Sequence, residues 1–359
     1  MTSKVLFLTS AHPGGRGMIG AGEGISEGNL RVLIDTGHEV HVLCLAPPTQ
    51  SANRAVVGLC ASYTTLNHSR WETILGVFNH VLDGGLIAPW FFTRGSTRNV
   101  TAVTELLSCE HIRHVWIEFP SCLGFTPVFK GCEVEYFAHD VVSQKVGRQP
   151  LLKCLQSWVA GVEGRLVASI QRCHVMSDKD AGLLLELGFA GSVVVSPPQN
   201  LKVGEVGASI PISQILNEFT GGRNLVFFGN MQRPENHKSI MHFLISSFPV
   251  IRRHHPDVQL WILGLGPRWT LRLLARIIKG VRVTGAIDDP MPAFAAATLC
   301  VAPLRFGAGV KIKVLQMLGA GAYVITTPIG AEGVPASERL VVVENRAFAQ
   351  SVIDHLDTL

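Results

Sequence analysis

Short apolar runs alternate with segments of helical period through the first half of the chain. The runs lie at residues 5–10, 39–45, 114–118, 133–139, 174–177 and 192–196. Helical spacing of apolar side chains lies between most of them, at residues 25–36, 98–109, 150–170 and 178–187. Near-continuous apolar strands separated by helices are typical of a parallel sheet that helices cover. The pattern therefore predicts a doubly wound α/β domain.

A stretch without any period, SPPQNLKVGEVGASIP from residue 196, divides this series from a second one. Beyond it, strands are predicted at residues 224–229, 259–264, 281–285, 298–304, 322–327 and 340–344. Helices are predicted at 237–253, 268–279 and 290–297 and from 311 onward. We predict two α/β domains, 1–198 and 199–359, whose strands end at a central cleft where ligands bind.

Composition fits two globular domains. A chain of 359 residues exceeds the roughly 250 to 300 at which single cores stop growing. Hydrophobic residues make up 47% and charged residues 16%, but no apolar run approaches the ~20 residues that a bilayer crossing needs. No cleavable signal pattern follows Met1, so we expect a cytoplasmic protein.

Charge and cysteine usage narrow the possible partners. The net charge of +4 is too small and dispersed to indicate nucleic acid, but would favour phosphorylated ligands or an anionic membrane surface. The eight cysteines form no CxxC pair and are expected to be reduced thiols.

The most distinctive chemistry lies in the segment VAPLRFGAGVKIKVLQMLGAGAYVITTPIGAEG. Gly307 and Gly309 let the backbone approach a ligand, and the N–H groups of a first helical turn point at an anion. Arg305, Lys311 and Lys313 add positive charge. The arrangement suits a bound diphosphate. A glycine turn followed by solvated lysines would have the same spacing, so both interpretations stay open.

Carboxylates and histidines do not form a metal site in this pattern. Asp288 and Asp289 are adjacent, point to different faces and are expected to cap a helix. His237 and His242 are five residues apart and do not share a helix face well. Neither pair therefore predicts a metal site.

Several segments together resemble the GT-B glycosyltransferases, specifically the retaining glycosyltransferase family 4. In the first half they are HPGGRGMIGAGEG, GHEVHVL, the strand ending in VWIEFP and the pair His139–Asp140. In the second half they are VFFGNMQRPENHKS, LWILGLGP, VRVTGAIDD and the Gly-Lys segment with its TTPIGAEG tail. Their order and spacing are specific, and the resemblance covers nearly the whole chain.

The resemblance implies two Rossmann-like domains, with a nucleotide-sugar donor held mainly by the second and an acceptor mainly by the first. It puts the nucleobase near Val283 and Gly285 and the ribose near Gln316. The implied donor contacts are Gly14, Gly15, Gly229, Asn230, Arg233, Lys238, Gly264, Val283, Gly285, Arg305, Gly307, Ala308, Gly309, Val310, Lys311, Lys313 and Gln316. The implied catalytic residues are Glu118, His139, Asp140, Arg305 and Lys313.

The family's chemistry follows from charge. A departing nucleoside diphosphate leaves an oxocarbenium-like sugar. The enzyme therefore accelerates the reaction most by stabilising the negative charge that develops on the β-phosphate. In the retaining family the leaving phosphate takes the proton of the acceptor hydroxyl on the same face. Basic side chains then replace a metal ion, and no cofactor is implied.

This chain departs from the family at three positions. The family has two glutamates eight residues apart, where this chain has Ala308 and Gln316. Gln316 could bond a ribose hydroxyl, but without charge assistance. An arginine common after the first C-terminal strand is Asn230 here, so Arg233 or Lys238 would have to reach the phosphate.

Alternatives remain for the first domain. Glu118 could be an ordinary strand-end carboxylate, and His139 a structural histidine bonded to backbone rather than to sugar. The glycines around Gly14, Gly15 and Gly17 could form a lid without fixed contacts. The apolar segment 71–94 could lie on a membrane or hold a lipid-linked acceptor, or be a buried helix pair.

The leading hypothesis is a metal-independent, retaining hexosyltransferase that acts on a glycan or lipid-linked acceptor in surface polysaccharide or glycolipid synthesis. It would be cytoplasmic, and peripheral contact with the inner face of a membrane is a further expectation. A nucleotide-sugar epimerase and a non-catalytic GT-B protein that binds a glycan or a partner transferase are the alternatives. A nicotinamide enzyme is not supported, because the first strand is not followed by a GxGxxG motif with an acidic residue at the end of the second strand.

Overall fold

The computed structural model of the protein describes residues 3–15, 21–82, 88–196, 209–219 and 222–358. Two compact units divide the chain at Met1–Gly204 and Glu205–Leu359. The domain boundary predicted at residues 198 and 199 lies outside the described residues.

A seven-stranded parallel sheet forms the first unit. Its strands are β1 (Lys4–Thr9), β2 (Glu39–Cys44), β3 (Ser62–Thr65), β4 (His114–Glu118), β5 (Glu133–Ala138), β6 (Arg172–Val175) and β7 (Ser192–Val195), in the order β3-β2-β1-β4-β5-β6-β7. Its helices are α1 (Ala21–Asp35), α2 (Arg54–Val57), α3 (Arg70–Leu82), α4 (Pro89–Phe92), α5 (Thr97–Cys109), α6 (Val142–Gly147), α7 (Gln156–Val167) and α8 (Asp178–Glu186), with 3₁₀ turns at Pro120–Val128 and Lys153–Leu155.

A six-stranded parallel sheet forms the second unit. Its strands are β8 (Asn224–Phe228), β9 (Gln259–Leu263), β10 (Val281–Gly285), β11 (Leu299–Ala302), β12 (Val324–Thr326) and β13 (Leu340–Val342), in the order β10-β9-β8-β11-β12-β13. Its helices are α9 (Ile212–Glu218), α10 (Pro234–Ser246), α11 (Phe248–His254), α12 (Trp269–Ile277), α13 (Met291–Ala296), α14 (Ile312–Gly319) and α15 (Phe348–Asp357), with a 3₁₀ turn at Asn345–Ala347.

The predicted parallel α/β architecture is confirmed in both units. The prediction of a single helix over 237–253 is wrong, because the segment forms two helices, α10 and α11, that meet at Ser247. Pro249 lies in the first turn of α11, where its missing N–H is tolerated, but it cannot continue a helix from α10. The predicted helix at 150–170 begins as an α-helix only at Gln156.

Apolar strands explain why the chemistry collects at strand ends. Leu6 and Leu8 of β1 are fully buried, as are Phe227 of β8 and Leu260 of β9. A charged side chain in the middle of such a strand would lose its water without compensation. Charged groups therefore lie where the strands leave the sheet, and the carboxyl ends of neighbouring parallel strands bring them together.

Two further sequence expectations can be compared with the structure. All eight cysteines are free thiols. Within the described part of the chain, no helix has both the length and the apolar character needed to cross a bilayer.

Candidate functional site

Glycines lie where three neighbouring strands of the second sheet end. Gly229 follows β8, Gly264 follows β9, and Gly285 ends β10. A Cβ on Gly264 would collide with the carbonyl oxygen of Gly229, so the two backbones exclude any side chain there. Gly285 has a φ of +96° and open space where a Cβ would point. Backbone packing thus restricts Gly264 to glycine, and the backbone angle favours glycine at Gly285.

The ammonium of Lys313 lies directly beside Gly229. Lys313 Nζ donates a hydrogen bond to Asn236 Oδ1 at 2.6 Å and lies 5.1 Å from the ring centre of Phe227. A Cβ on Gly229 would come within 2.8 Å of this nitrogen. Gly229 therefore provides the space in which the ammonium is held, and Asn236 fixes its direction.

Positive charge converges on this ammonium. Enclosure by the protein, and then repulsion by Arg233 and Lys311, lower the pKa of Lys313 to about 7, although Glu235 opposes the shift. No carboxylate of the described residues forms a salt bridge with Lys313. A bound anion would relieve the repulsion and favour the charged lysine.

Lys311 has a different role from its neighbour. It is the residue before α14, and its Nζ donates to the carbonyl oxygens of Ala308 at 3.0 Å and Gly309 at 2.5 Å. It also forms an ion pair with Glu332 at 3.7 Å. Lys311 is buried, and its hydrogen bonds hold the glycine loop in place. The structure therefore gives this predicted phosphate contact an internal structural function.

The loop that Lys311 fastens needs glycine for its backbone. Gly307 has a φ of +122° and Gly309 of +69°, which other residues rarely adopt. Arg305 opens this loop, and its backbone N–H donates to Ser239 Oγ at 3.1 Å. Val310 is buried between the loop and α14.

The remaining predicted donor contacts surround this loop. Arg233 and Lys238 are exposed at the start of α10, and Lys238 Nζ lies 5.9 Å from the ring centre of Phe306. The side chain of Asn230 turns back to accept from the Gln232 backbone N–H at 2.9 Å. It therefore reinforces its own turn.

Gln316 and Val283 are also close to strand ends or to the loop. Gln316 lies in α14 three residues after Lys313, so the two side chains share a helix face. Val283 is half-buried against the core of the second unit, where β10 shifts register before Gly285.

Asp288 and Asp289 hold backbone groups. Asp288 Oδ1 accepts from the N–H groups of Ile212 and Asp289, both at 2.8 Å, and Asp289 Oδ1 accepts from Met291 at 3.0 Å. Asp289 thus caps the first turn of α13 as predicted. No cluster of three or more His, Cys, Asp or Glu with metal-binding geometry occurs within the described ranges.

Glu118 and His139 meet at the carboxyl edge of the first sheet. Glu118 ends β4, His139 follows the adjacent β5, and His139 Nε2 lies 2.5 Å from Glu118 Oε2. The other carboxylate oxygen, Oε1, accepts from Trp116 Nε1 and Asn29 Nδ2, both at 2.8 Å. Glu118 is completely buried and thus is not the solvated strand-end carboxylate of the alternative interpretation.

The opposite nitrogen of His139 is unpaired. An ionised carboxylate can only accept, so the proton of a neutral His139 lies on Nε2 and leaves Nδ1 as an acceptor. Nδ1 is buried without a hydrogen-bond partner among the described residues. A Cβ on Gly22, at the amino end of α1, would lie 3.8 Å from it. His139 therefore does not bond to backbone through either ring nitrogen.

An unusual backbone conformation fixes the ring of His139. Phe119, the residue after Glu118, has a φ of +70°, which is uncommon for a residue with a side chain. Its ring stacks on His139 with centres 4.2 Å apart and planes 7° from parallel. Strain of this kind clusters at functional sites.

The other predicted residues of the first unit have internal partners. Asp140 is half-buried and pairs with Lys145 Nζ at 3.4 Å. Gly14 has a φ of +58°, and a Cβ there would overlap the side chain of Glu27. Gly15 is crowded by His12 in the same way. Packing against the protein itself thus accounts for both glycines, and Gly17 lies outside the described residues.

A polar cavity of about 690 Å³ opens elsewhere on the first unit. Its lining includes Lys4, Arg113, His114, Glu135 and Arg172, which lie at the amino-terminal ends of the strands. The cavity is therefore at the opposite edge of the sheet from Glu118. Glu135 lies in this lining and is bonded by His114 and Arg172, each at 3.1 Å, and by His174 at 2.6 Å.

Four side chains that build the two sites were not anticipated. Trp116 could have been found, because it precedes Glu118 by two residues and so shares its strand face. Asn29 and Asn236 lie on helices and reach the sites only through tertiary packing. The stacking of Phe119 depends on a backbone angle that the sequence does not indicate.

Residues 222–358 match the family model described as glycosyl transferases group 1. The second unit therefore resembles this family over most of its length. The match includes the loop from Arg305 to Gly309 and helix α14, so the predicted diphosphate site lies within the matched residues.

Curated relatives match shorter parts of the chain. An uncharacterized 44.6 kDa protein from the cps region of Klebsiella pneumoniae is 28% identical over 142 residues, 37% of this chain and 37% of that protein. A phosphatidyl-myo-inositol mannosyltransferase of Mycobacterium tuberculosis is 29% identical over 113 residues, 31% of this chain and 29% of the enzyme. The matched region spans about a third of the length of each.

Solved structures resemble the whole chain. The Anabaena protein Alr3699/HepE, crystallised with UDP and glucose, has a TM-score of 0.65 with 12% identity over 99% of this chain and 90% of that one. The fold is therefore GT-B, with two Rossmann-like units, as the resemblance implied.

Proposed function

We propose that the protein is a hexosyltransferase that moves a sugar from a nucleoside diphosphate sugar to a hydroxyl group of a glycan or lipid-linked acceptor. The family of the second unit supports this reaction class. The mannosyltransferase among the relatives acts on phosphatidyl-myo-inositol, as its name says, which supports glycolipid synthesis as the setting. The relative from a cps region supports surface polysaccharide synthesis.

The observation that carries the proposal is the environment of Lys313. Its ammonium is enclosed beside Gly229, directed by Asn236 and repelled by neighbouring cations. A diphosphate would supply the missing negative charge, and the same contact would stabilise the charge that develops on the leaving β-phosphate. Arg305, at the start of the glycine loop, would add a second cation.

We propose that this charge replaces a metal ion. The two adjacent aspartates each accept from backbone N–H groups through Oδ1, so both side chains serve the local backbone. Retention of configuration belongs to the same proposal, because a leaving phosphate that is held in place could accept the acceptor's proton on the face it leaves.

On the acceptor side, His139 is the group with free capacity. Glu118 would hold the Nε2 proton, so that Nδ1 accepts a hydrogen bond from a sugar hydroxyl. This role makes His139 a contact for the bound sugar and Glu118 a positioning residue that acts through it. Peripheral contact with a membrane would suit a lipid-linked acceptor.

The proposal is tested by incubating the protein with UDP-, GDP-, ADP- and dTDP-hexoses and a mixture of lipid-linked and free glycan acceptors. We expect release of a nucleoside diphosphate that depends on the acceptor, with a product of retained anomeric configuration by NMR. Interconversion of donors without acceptor would indicate an epimerase. Nucleotide binding without turnover would indicate a non-catalytic protein, for which Gln316 in place of a glutamate is the supporting feature.

A further inference from the structure

Helix α12 of the second unit carries two apolar stripes, whereas a surface helix needs one. The inner stripe packs on the core, where Leu271 is completely buried and Leu274 is partly buried. The outer stripe is Trp269, Leu273 and Ile277, which are 74%, 49% and 69% exposed. Their spacing of four residues places them in one row along the outer surface. The core does not account for this second row.

Arginines form a parallel row next to the outer stripe. Arg268, Arg272 and Arg276 are also four residues apart and each precedes one of the apolar residues. From Arg268 to Lys279 the sequence contains no acidic residue.

No carboxylate in the described part of the chain neutralises these arginines. Arg268 donates to the carbonyl oxygen of Gln232 at 3.0 Å, and Arg272 donates to that of Pro267 at 3.4 Å. None of the three arginines forms a salt bridge with a described residue. The helix thus presents uncompensated positive charge beside exposed apolar side chains.

We propose that α12 docks the protein on an anionic lipid bilayer. Trp269, Leu273 and Ile277 enter the boundary between headgroups and acyl chains, while the arginines bind lipid phosphates. Tryptophan suits this depth, because its ring is apolar and its N–H remains at the polar level. This inference rests on the proposed function in that it assigns a surface to the membrane contact named there. Docking itself needs neither donor nor acceptor, so it can be tested apart from sugar transfer.

Helix α3 of the first unit also exposes apolar side chains, and it differs from α12 in charge. Trp71, Ile74 and Phe78 are 74%, 57% and 55% exposed there. The same helix contains Glu72, which pairs with Arg98 at 3.1 Å, so its face has no free row of arginines. Apolar exposure is similar on both helices, but only α12 complements an anionic surface.

Vesicle co-sedimentation tests the proposal with the full-length chain and no nucleotide. We expect binding to vesicles of phosphatidylcholine mixed with phosphatidylglycerol, little binding to phosphatidylcholine alone, and weakening by salt. Trp269→Ala should weaken binding about tenfold or more, and Arg276→Gln about fivefold. The matched controls are Trp71→Ala, whose ring is equally exposed, and Arg253→Gln, on the exposed surface of α11; both should bind as the unchanged protein does.

Three results would overturn the assignment. One is the absence of binding to anionic vesicles by the unchanged protein. Another is binding that survives both α12 substitutions, or that Trp71→Ala alone removes. The last is self-association in sedimentation velocity that Trp269→Ala abolishes without any vesicle binding, which would assign this face to a second copy. Each readout is independent of sugar transfer, so the proposed function could fail while this inference stands.

Discussion

His139 Nε2 and Glu118 Oε2 lie 2.5 Å apart at the ends of two adjacent parallel strands. The contact joins a buried carboxylate, saturated by three donors, to an imidazole whose other nitrogen is unpaired. One proton position follows from this geometry, and with it the ability of Nδ1 to accept from a sugar hydroxyl. The buried carboxylate therefore orients the imidazole that faces the candidate binding edge of the first unit.

Glu118→Gln should reduce transfer about 10- to 100-fold while the protein still folds, because an amide no longer dictates which nitrogen of His139 carries the proton. Steady-state kinetics measures the effect, which should fall on kcat more than on the donor KM. Glu110→Gln is the matched control, since Glu110 forms a half-buried pair with Lys4 at the opposite edge of the same sheet. Equal activity of Glu118→Gln and the unchanged protein would refute the positioning role.

Gly229→Ala should weaken binding of a nucleoside diphosphate about tenfold, because the new Cβ would displace the Lys313 ammonium. Calorimetric titration measures the change. Gly28→Ala is the control: Gly28 is exposed within α1 with nothing near its missing Cβ, so alanine there should add about 0.5–1 kcal/mol of stability. Unaltered affinity in Gly229→Ala would show that the space beside Gly229 is not needed.

The two lysines of the segment should respond oppositely to removal of charge. Lys311→Met removes the donor of two loop carbonyls and the ion pair with Glu332, and should lower the free energy of unfolding by about 1–3 kcal/mol. Lys313→Met replaces an enclosed ammonium by an apolar chain of similar length and should leave stability unchanged or raised. Urea denaturation of both variants measures the contrast, and a larger loss in Lys313→Met would contradict it.

Stability should rise with pH between about 7 and 10.5 through Lys313. Its pKa is about 7 in the folded protein against an ordinary value of 10.5, so in this window the unfolded chain binds more protons than the folded one. The melting temperature of the unchanged protein should therefore increase relative to that of Lys313→Met as the pH goes from 7 to 9. If the melting temperatures of the two proteins changed with pH in the same way, the pH dependence would have to come from groups other than Lys313.

The fold could be predicted because its strands are continuous apolar runs, such as Val5 to Leu8, and a buried parallel sheet demands them. Strand β3 escaped prediction because SYTT is polar, as an edge strand can be. The charged segment before α14 could be found from its glycines and lysines, but the division of labour between Lys311 and Lys313 could not. It depends on where Asn236 and Glu332 come to lie, and both arrive from distant parts of the chain.

Binding of nucleoside diphosphates by the unchanged protein and by Lys313→Met, measured by isothermal titration calorimetry across UDP, GDP, ADP and dTDP, tests the central claim most directly. We expect at least one of these nucleotides to bind the unchanged protein, and the protein to take up a proton on binding near pH 8 as the lysine regains its charge. The same nucleotide should bind the variant about 10- to 100-fold more weakly. Equal affinities of the two proteins, or no binding of any nucleotide by the unchanged protein, would contradict the claim that Lys313 forms a diphosphate site.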